Sequence, residues 1–309
     1  YTGLVRYRSF ISSTSGQVSY PLSGNQRFEV SLGMTRYSYD IELDKYFSDA
    51  FGRIVDFDRQ GQKDLCNNPG DRFCSPDPLN MVQASAALVG DNASMGFVSP
   101  VRGGRYRFEV EQTSGTVDFT TIIADWRRYY SPTKNLTIGA RGMHYGRYGL
   151  TSTENQSDGF GLLNPLFLGY ETFIRGYSFD SFSSEECGVP TGGNNRCGAF
   201  DRLLGQQIAV ANFEFRIPFL GVEQYGIINF PFLPTELVAF ADAGMAWDAD
   251  NPATLEWSRD PAKRVPVFST GVGARFNVLG FMILEAYYAY PWQRPDKGWH
   301  WGFNMAPGW

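Results

Sequence analysis

The stretch Ala209-Val210-Ala211-Asn212-Phe213-Glu214-Phe215-Arg216-Ile217-Pro218 decides the fold class. Ala209, Ala211, Phe213, Phe215 and Ile217 alternate with Asn212, Glu214 and Arg216. A helix would scatter those apolar residues around its circumference, whereas a strand puts them all on one face. The other face then carries an amide, a carboxylate and a guanidinium.

The same period of two recurs outward from this stretch. Phe28, Val30, Leu32 and Met34 alternate with Glu29, Ser31 and Gly33. Tyr106, Phe108 and Val110 alternate with Arg107, Glu109 and Glu111. Met282, Leu284, Ala286, Tyr288 and Tyr290 leave Glu285 on the opposite face, and Trp299, Trp301, Phe303 and Met305 alternate with His300, Gly302 and Asn304. The expected strands are 1–10, 15–22, 26–39, 80–91, 103–113, 116–130, 135–148, 206–218, 235–247, 264–277, 281–291 and 298–306, about twelve, all antiparallel. Short turns fall at Leu22-Ser23-Gly24-Asn25, Ser131-Pro132-Thr133-Lys134 and Asn277-Val278-Leu279-Gly280. Long polar loops fall at 41–79, 149–205 and 248–263. Short turns at one end and long loops at the other are the mark of an outer-membrane barrel.

Composition agrees. Of 309 residues, 16% are aromatic and 34 are glycine. A barrel with an apolar outside, a polar inside and aromatic rims uses such a mixture; an aromatic-rich soluble sandwich is the other architecture it admits. No apolar run approaches the roughly 18 residues of a membrane helix, so any spanning segment belongs to a closed barrel. The net charge of −5 gives no basic surface for nucleic acid. The expected fold is therefore all-β, a closed antiparallel transmembrane barrel over 1–309. The chain opens on strand-like Leu4-Val5-Arg6-Tyr7-Arg8 without a signal peptide, and reads as the C-terminal part of a longer mature protein.

The four cysteines lie in polar loops as two local pairs, Cys66 with Cys74 and Cys187 with Cys197. Local disulfides on an oxidising side are the expected use, although four cysteines allow three connectivities. Zinc is the rival reading, with neither spacing a tight knuckle and neither histidine close. Trp247, Trp292, Trp299, Trp301 and Trp309, with Tyr287, Tyr288 and Tyr290, fall near strand ends and suit the aromatic belts of a membrane.

Four stretches resemble the Omp85 (BamA-like surface antigen) superfamily. Phe173-Ile174-Arg175-Gly176-Tyr177, in the longest loop, is similar to the family's Arg-Gly-aromatic motif. Ala211 to Pro218 is similar to the strand that follows it, and Phe240-Ala241-Asp242-Ala243-Gly244-Met245-Ala246-Trp247 to the next. The fourth runs from Gly271-Val272-Gly273-Ala274-Arg275 through Tyr290-Pro291 to the aromatic end. A looser piece, Tyr20 to Arg27, is similar to barrels that follow a β-propeller. The resemblance implies a barrel of about sixteen strands in the whole protein, so the first strands and an upstream domain lie outside this sequence. Pro307, near the terminal aromatic, departs from the family's ending.

The resemblance also implies a site. The 149–205 loop folds back into the lumen and Arg175 meets Asp242 and Glu214, with Gly176, Tyr177 and Phe240 completing a latch. An arginine taken into a lumen needs an anionic partner against its desolvation. Gly176 suits a tight turn against the wall. The implied function is assembly, insertion or translocation of outer-membrane polypeptides, in a bacterial outer membrane. The implied partners are lipid and lipopolysaccharide, client barrels or other envelope proteins, and lipoprotein subunits. Two other readings are a non-catalytic anchor or scaffold of a surface complex and a passive pore, which a plugging loop opposes.

Bond-making chemistry is not expected. A hydrolase needs a nucleophile beside an oriented base, and His144 and His300 have no serine motif near them. Asp242, Asp248 and Asp250 lack the spacing of a calcium loop. Gly271-Val272-Gly273 lies in a strand with no helix after it, unlike a nucleotide site. No cofactor and no metal are expected.

Overall fold

The computed structural model describes residues 2–49, 51–66, 74–75, 77–149, 163–183, 186–187, 197–222, 226–260, 263–294 and 296–305. Among these, eleven long strands form one antiparallel path in chain order. They are β1 (Thr2–Ser23), β2 (Gln26–Ser48), β3 (Leu79–Asp91), β4 (Pro100–Gly115), β5 (Phe119–Thr133), β6 (Leu136–Tyr148), β7 (Gln207–Gly221), β8 (Thr235–Trp247), β9 (Val267–Val278), β10 (Met282–Pro291) and β11 (His300–Met305). Short strands at Ile54–Gln60, Ser94–Met95 and Ile228–Asn229 pair with β2, β4 and β7. Among the described residues helix is confined to single turns such as Gln62–Leu65 and Gly198–Asp201. Among the described residues no ladder joins β11 to β1.

The wall follows from the alternation. On β7, Phe213 and Phe215 are exposed, whereas Asn212, Glu214 and Arg216 are buried inside. The ladder carries this parity from strand to strand, because directly paired residues share a face. Ala211 pairs with Ala243 and Phe213 with Ala241 on the outside, while Asn212 pairs with Asp242 on the inside.

Two expectations need correction. Residues 1–10 and 15–22 are one strand, β1, in continuous register with β2 from Thr2↔Tyr46 to Pro21↔Arg27. The interval 11–14, expected to be a break, holds no proline, and an unbroken partner strand satisfies its backbone groups. The predicted loop at 41–79 begins later. β2 runs on to Ser48, and Ile54–Gln60 returns along it.

β2 has 23 residues, about twice the 9–11 or so that span a bilayer. Its faces exchange polarity partway. Phe28, Val30, Leu32 and Met34 point outward and exposed, with Glu29 buried behind them. Beyond Met34 the outward positions become Arg36, Ser38, Asp40, Glu42 and Asp44. Asp44 meets Arg6 at 2.7 Å and Arg59 at 2.7 Å, and Glu42 meets Arg8 at 2.8 Å. The inward face changes in the opposite sense, to Tyr37, Tyr39 and Ile41. Tyr37 and Tyr39 pack on a small core of Leu79, Met81, Val117, Phe119 and Leu163. The lipid-facing band thus ends near Met34, and the sheet continues into water at the long-loop end.

Candidate functional site

The described part of the long loop, residues 163–183, 186–187 and 197–205, enters the barrel on an apolar footing. Ile174 and Tyr177 join Leu168 and Leu203 against Ile208, Val210, Ala246 and Val267 of the wall, all fully or nearly buried. A side chain at Gly244 would strike Ile174, so that wall position must stay bare for the loop to seat.

Arg175 sits between these anchors, 2% exposed. Its Nε and Nη2 donate to Asp242 Oδ2 and Oδ1, each at 2.8 Å, and its backbone N–H donates to the same carboxylate at 3.2 Å. Nη1 lies 2.8 Å from Glu214 Oε1 and 3.1 Å from Glu285 Oε1. The guanidinium carbon stands 3.6 Å from the centre of the Phe240 ring, a cation–π contact. Burial works against the charge on Arg175, but Asp242, Glu214 and Glu285 outweigh it and hold the group well above the ordinary arginine range. The two N–H···O bonds to one carboxylate fix the plane of the guanidinium as well as its position.

Sequence reasoning named Arg175, Asp242, Glu214, Gly176, Tyr177 and Phe240, and the structure brings all six together. It missed the second half of the network. Arg275 donates to Glu214 at 2.7 and 2.9 Å and lies 3.1 Å from Glu285. Arg216 Nε donates to Glu214 Oε2 at 2.7 Å, and its Nη1 reaches Ser99 Oγ and the Pro100 carbonyl, both at 3.1 Å. Ser99 in turn donates to Glu236. Three arginines therefore face four carboxylates, all buried, across four adjacent strands and one loop. The missed signal was parity: Glu236, Arg275 and Glu285 lie on the inward face with Asp242, and Arg275 is the ladder partner of both glutamates.

The flanking residues hold the loop by its backbone. Asn212 donates to the Phe173 carbonyl at 2.7 Å and to Asp242 at 2.9 Å, and Arg141 donates to the Thr172 carbonyl at 2.8 Å. Gly176 has φ +85°, a conformation that L side chains avoid, and its N–H donates to Tyr287 Oη at 3.3 Å. Tyr177 Oη donates to the Phe268 carbonyl at 3.1 Å, and burial pushes its hydroxyl above the usual tyrosine range.

A second clamp lies nearer the long-loop end. Arg294, after β10, donates to the Gly176 carbonyl at 2.9 Å, to Ser181 Oγ and its carbonyl, and to both oxygens of Glu186. Every N–H of this guanidinium is engaged. Glu186 adjoins the Cys187–Cys197 disulfide, and Cys66 is bonded to Cys74 beyond β2.

The belt residues divide. Trp292, Trp299 and Trp301 are exposed and pack against Tyr288 and Tyr290, Trp292 edge-on to Tyr290 and Trp299 stacked on Tyr288, and Trp247 stacks on His144 at 5.7 Å. Tyr287 is a correction: it is 1% exposed and points inward at Gly176, because its parity is opposite to that of Tyr288. His300 also faces the interior, within reach of Gly176. Trp309 lies outside the described residues. Among the described residues no group of three or more His, Cys, Asp or Glu side chains is arranged to hold a metal ion.

Two solved structures share this architecture. BamA from Haemophilus ducreyi, in a form lacking POTRA domains 1–3, matches with a TM-score of 0.58 at 14% identity, over 97% of this chain and 55% of that one. CdiB from Acinetobacter baumannii matches with a TM-score of 0.52 at 11% identity, over 99% of this chain and 43% of that one. The chain thus spans about half the length of the structures it resembles. No curated protein sequence matches it significantly. Residues 6–306 match the model of the Omp85 superfamily domain, and the chain belongs to that superfamily, as a β-barrel of the bacterial outer membrane.

Proposed function

We propose that this chain is the barrel of a protein that inserts or translocates polypeptides at the outer membrane, without bond-making chemistry or a cofactor. The observation that carries the reading is the loop held in the lumen by Arg175. A buried ion network of this size is an expensive way to fill space, since desolvation of each charge opposes folding. Such networks specify one arrangement of the groups they join, and here they join a loop to four wall strands. A passive pore gains nothing from a loop fixed across its lumen. The relatives BamA and CdiB and the family resemblance of the Arg-Gly-Tyr motif support polypeptide handling over pore function. Its partners on this reading are client polypeptides, lipid or lipopolysaccharide, and other envelope proteins.

The test is a cross-linking pull-down of the full-length protein from outer membranes, read by mass spectrometry. Unfolded barrel precursors among the partners support the reading. A fixed set of folded surface proteins or lipoproteins, with no precursors, overturns it in favour of a scaffold subunit.

A further inference from the structure

The outer face of β5 carries a charge that the barrel itself leaves unmatched. Inward residues of this strand include Asp125, Arg127 and Tyr129, with Tyr129 1% exposed. Ile122, Trp126, Arg128 and Tyr130 take the opposite parity and are exposed. Inward arginines around it have partners: Arg27 and Arg107 on Glu29, Arg105 on Asp91, Arg127 and Arg141 on Asp125, and Arg147 on the Asn164 carbonyl. Among the described residues Arg128 has no carboxylate and no hydrogen-bond acceptor.

Its surroundings leave room for one. Arg128 pairs with Gly104 on β4 and with Ala140 on β6, so neither ladder neighbour covers the guanidinium. Its stem leans over Gly104, where an added Cβ would stand 3.3 Å from Arg128 Cδ. Trp126 and Tyr130, 45% and 62% exposed, flank it along the strand. Amphipathic rings of this kind mark the headgroup level of a bilayer. The site is toward the short-turn end, five residues before the Thr133–Leu136 turn. Arg102, exposed and likewise without an ion pair among the described residues, lies two residues before Gly104.

An unpaired guanidinium on a lipid-facing wall is unfavourable unless an anion meets it. The anion at this depth is a lipid phosphate, whose oxygens match the planar fork of arginine. We propose that Arg128, framed by Trp126 and Tyr130 above the bare backbone of Gly104, binds the phosphate of a phospholipid in the leaflet at the short-turn end.

The experiment is native mass spectrometry of the purified protein in detergent with added phosphatidylglycerol, comparing wild type with Arg128→Gln and Arg128→Lys. Heat-modifiability on gels checks that each variant is folded. Wild type is expected to retain one phospholipid more than Arg128→Gln, with Arg128→Lys between them and no displacement by millimolar inorganic phosphate. Equal retention by wild type and Arg128→Gln overturns the proposal, and so does complete displacement by inorganic phosphate, which would make this a free-anion site. Should Arg128→Gln fail to fold, retention by Arg128→Lys equal to that of wild type, with bound lipid unaffected by Trp126→Leu, overturns it as well.

Discussion

Arg294 grips Glu186 at two points, Nε to Oε2 at 2.8 Å and Nη2 to Oε1 at 3.1 Å, across 108 residues of sequence. The same guanidinium holds the Gly176 carbonyl, one residue from the centre of the lumenal network. The loop is therefore tied to the β10–β11 connection as well as to the wall. A double-mutant cycle of Arg294→Ala and Glu186→Ala should show coupling of about 0.5–3 kcal/mol in detergent unfolding. Strictly additive effects would mean that the two side chains do not support one another.

Arg175→Ala should cost about 3–5 kcal/mol, because it strands Asp242, Glu214 and Glu285 in a buried site. The gel transition from folded to heat-denatured mobility should move to lower temperature. Arg175→Lys should recover little, since one ammonium cannot reproduce a bidentate grip on Asp242 while reaching two glutamates. An unshifted transition in Arg175→Ala would show that the network does not hold the loop.

Gly176→Ala isolates the backbone. Space exists for a methyl group, whose nearest neighbours would be Ala289 and Ser269 at 3.4 Å. The left-handed φ is then the source of the penalty, about 1–2 kcal/mol. Gly244→Ala should act differently, by displacing Ile174 and with it the loop. Limited proteolysis of the loop should rise in Gly244→Ala more than in Gly176→Ala, and the reverse order would contradict this assignment.

Among the described residues Glu171, in the loop, has Oε2 buried without a hydrogen-bond partner, and burial, outweighing Tyr287 and Ser178 beside the carboxyl, raises it above the ordinary value of 4.5. The folded state therefore binds this proton more tightly than the unfolded state does. Its contribution to stability is fully present below the unfolded value and is lost as pH rises through the folded one. Glu171→Gln should remove that loss, raising the melting temperature at neutral pH and flattening its pH dependence. Melting curves of wild type and variant across the acid-to-neutral range check it, and parallel profiles would refute it.

Peptide mapping without reduction should recover Cys66 linked to Cys74 and Cys187 linked to Cys197. Four free thiols would contradict both. Reduction should loosen the Glu186 end of the loop while leaving the lumenal network in place, because no cysteine contributes to it.

Period-two alternation was enough to determine the wall of this protein. From Ala209 to Ile217 it names which side chains meet lipid and which meet the interior, since the pleat alternates faces whatever the rest of the chain does. The inward parity of Glu214 was legible for the same reason, whereas the Arg-Gly-Tyr motif and its pairing with Glu214 and Asp242 came from the resemblance to the Omp85 superfamily. Register was not. Parity says that Glu285 points inward, but only the ladder sets it opposite Arg275 and within reach of Arg175, 110 residues earlier. The break expected at 11–14, between strands 1–10 and 15–22, was misread because local turn preference is weak against a full row of partners on β2. Tyr287 was misplaced because it was assigned by its nearness to a strand end, which ignores the face it occupies. Sequence thus determined the inside and the outside of the barrel. Tertiary structure decided which inward charges become neighbours, because register and loop entry are set by long-range pairing that no local pattern encodes.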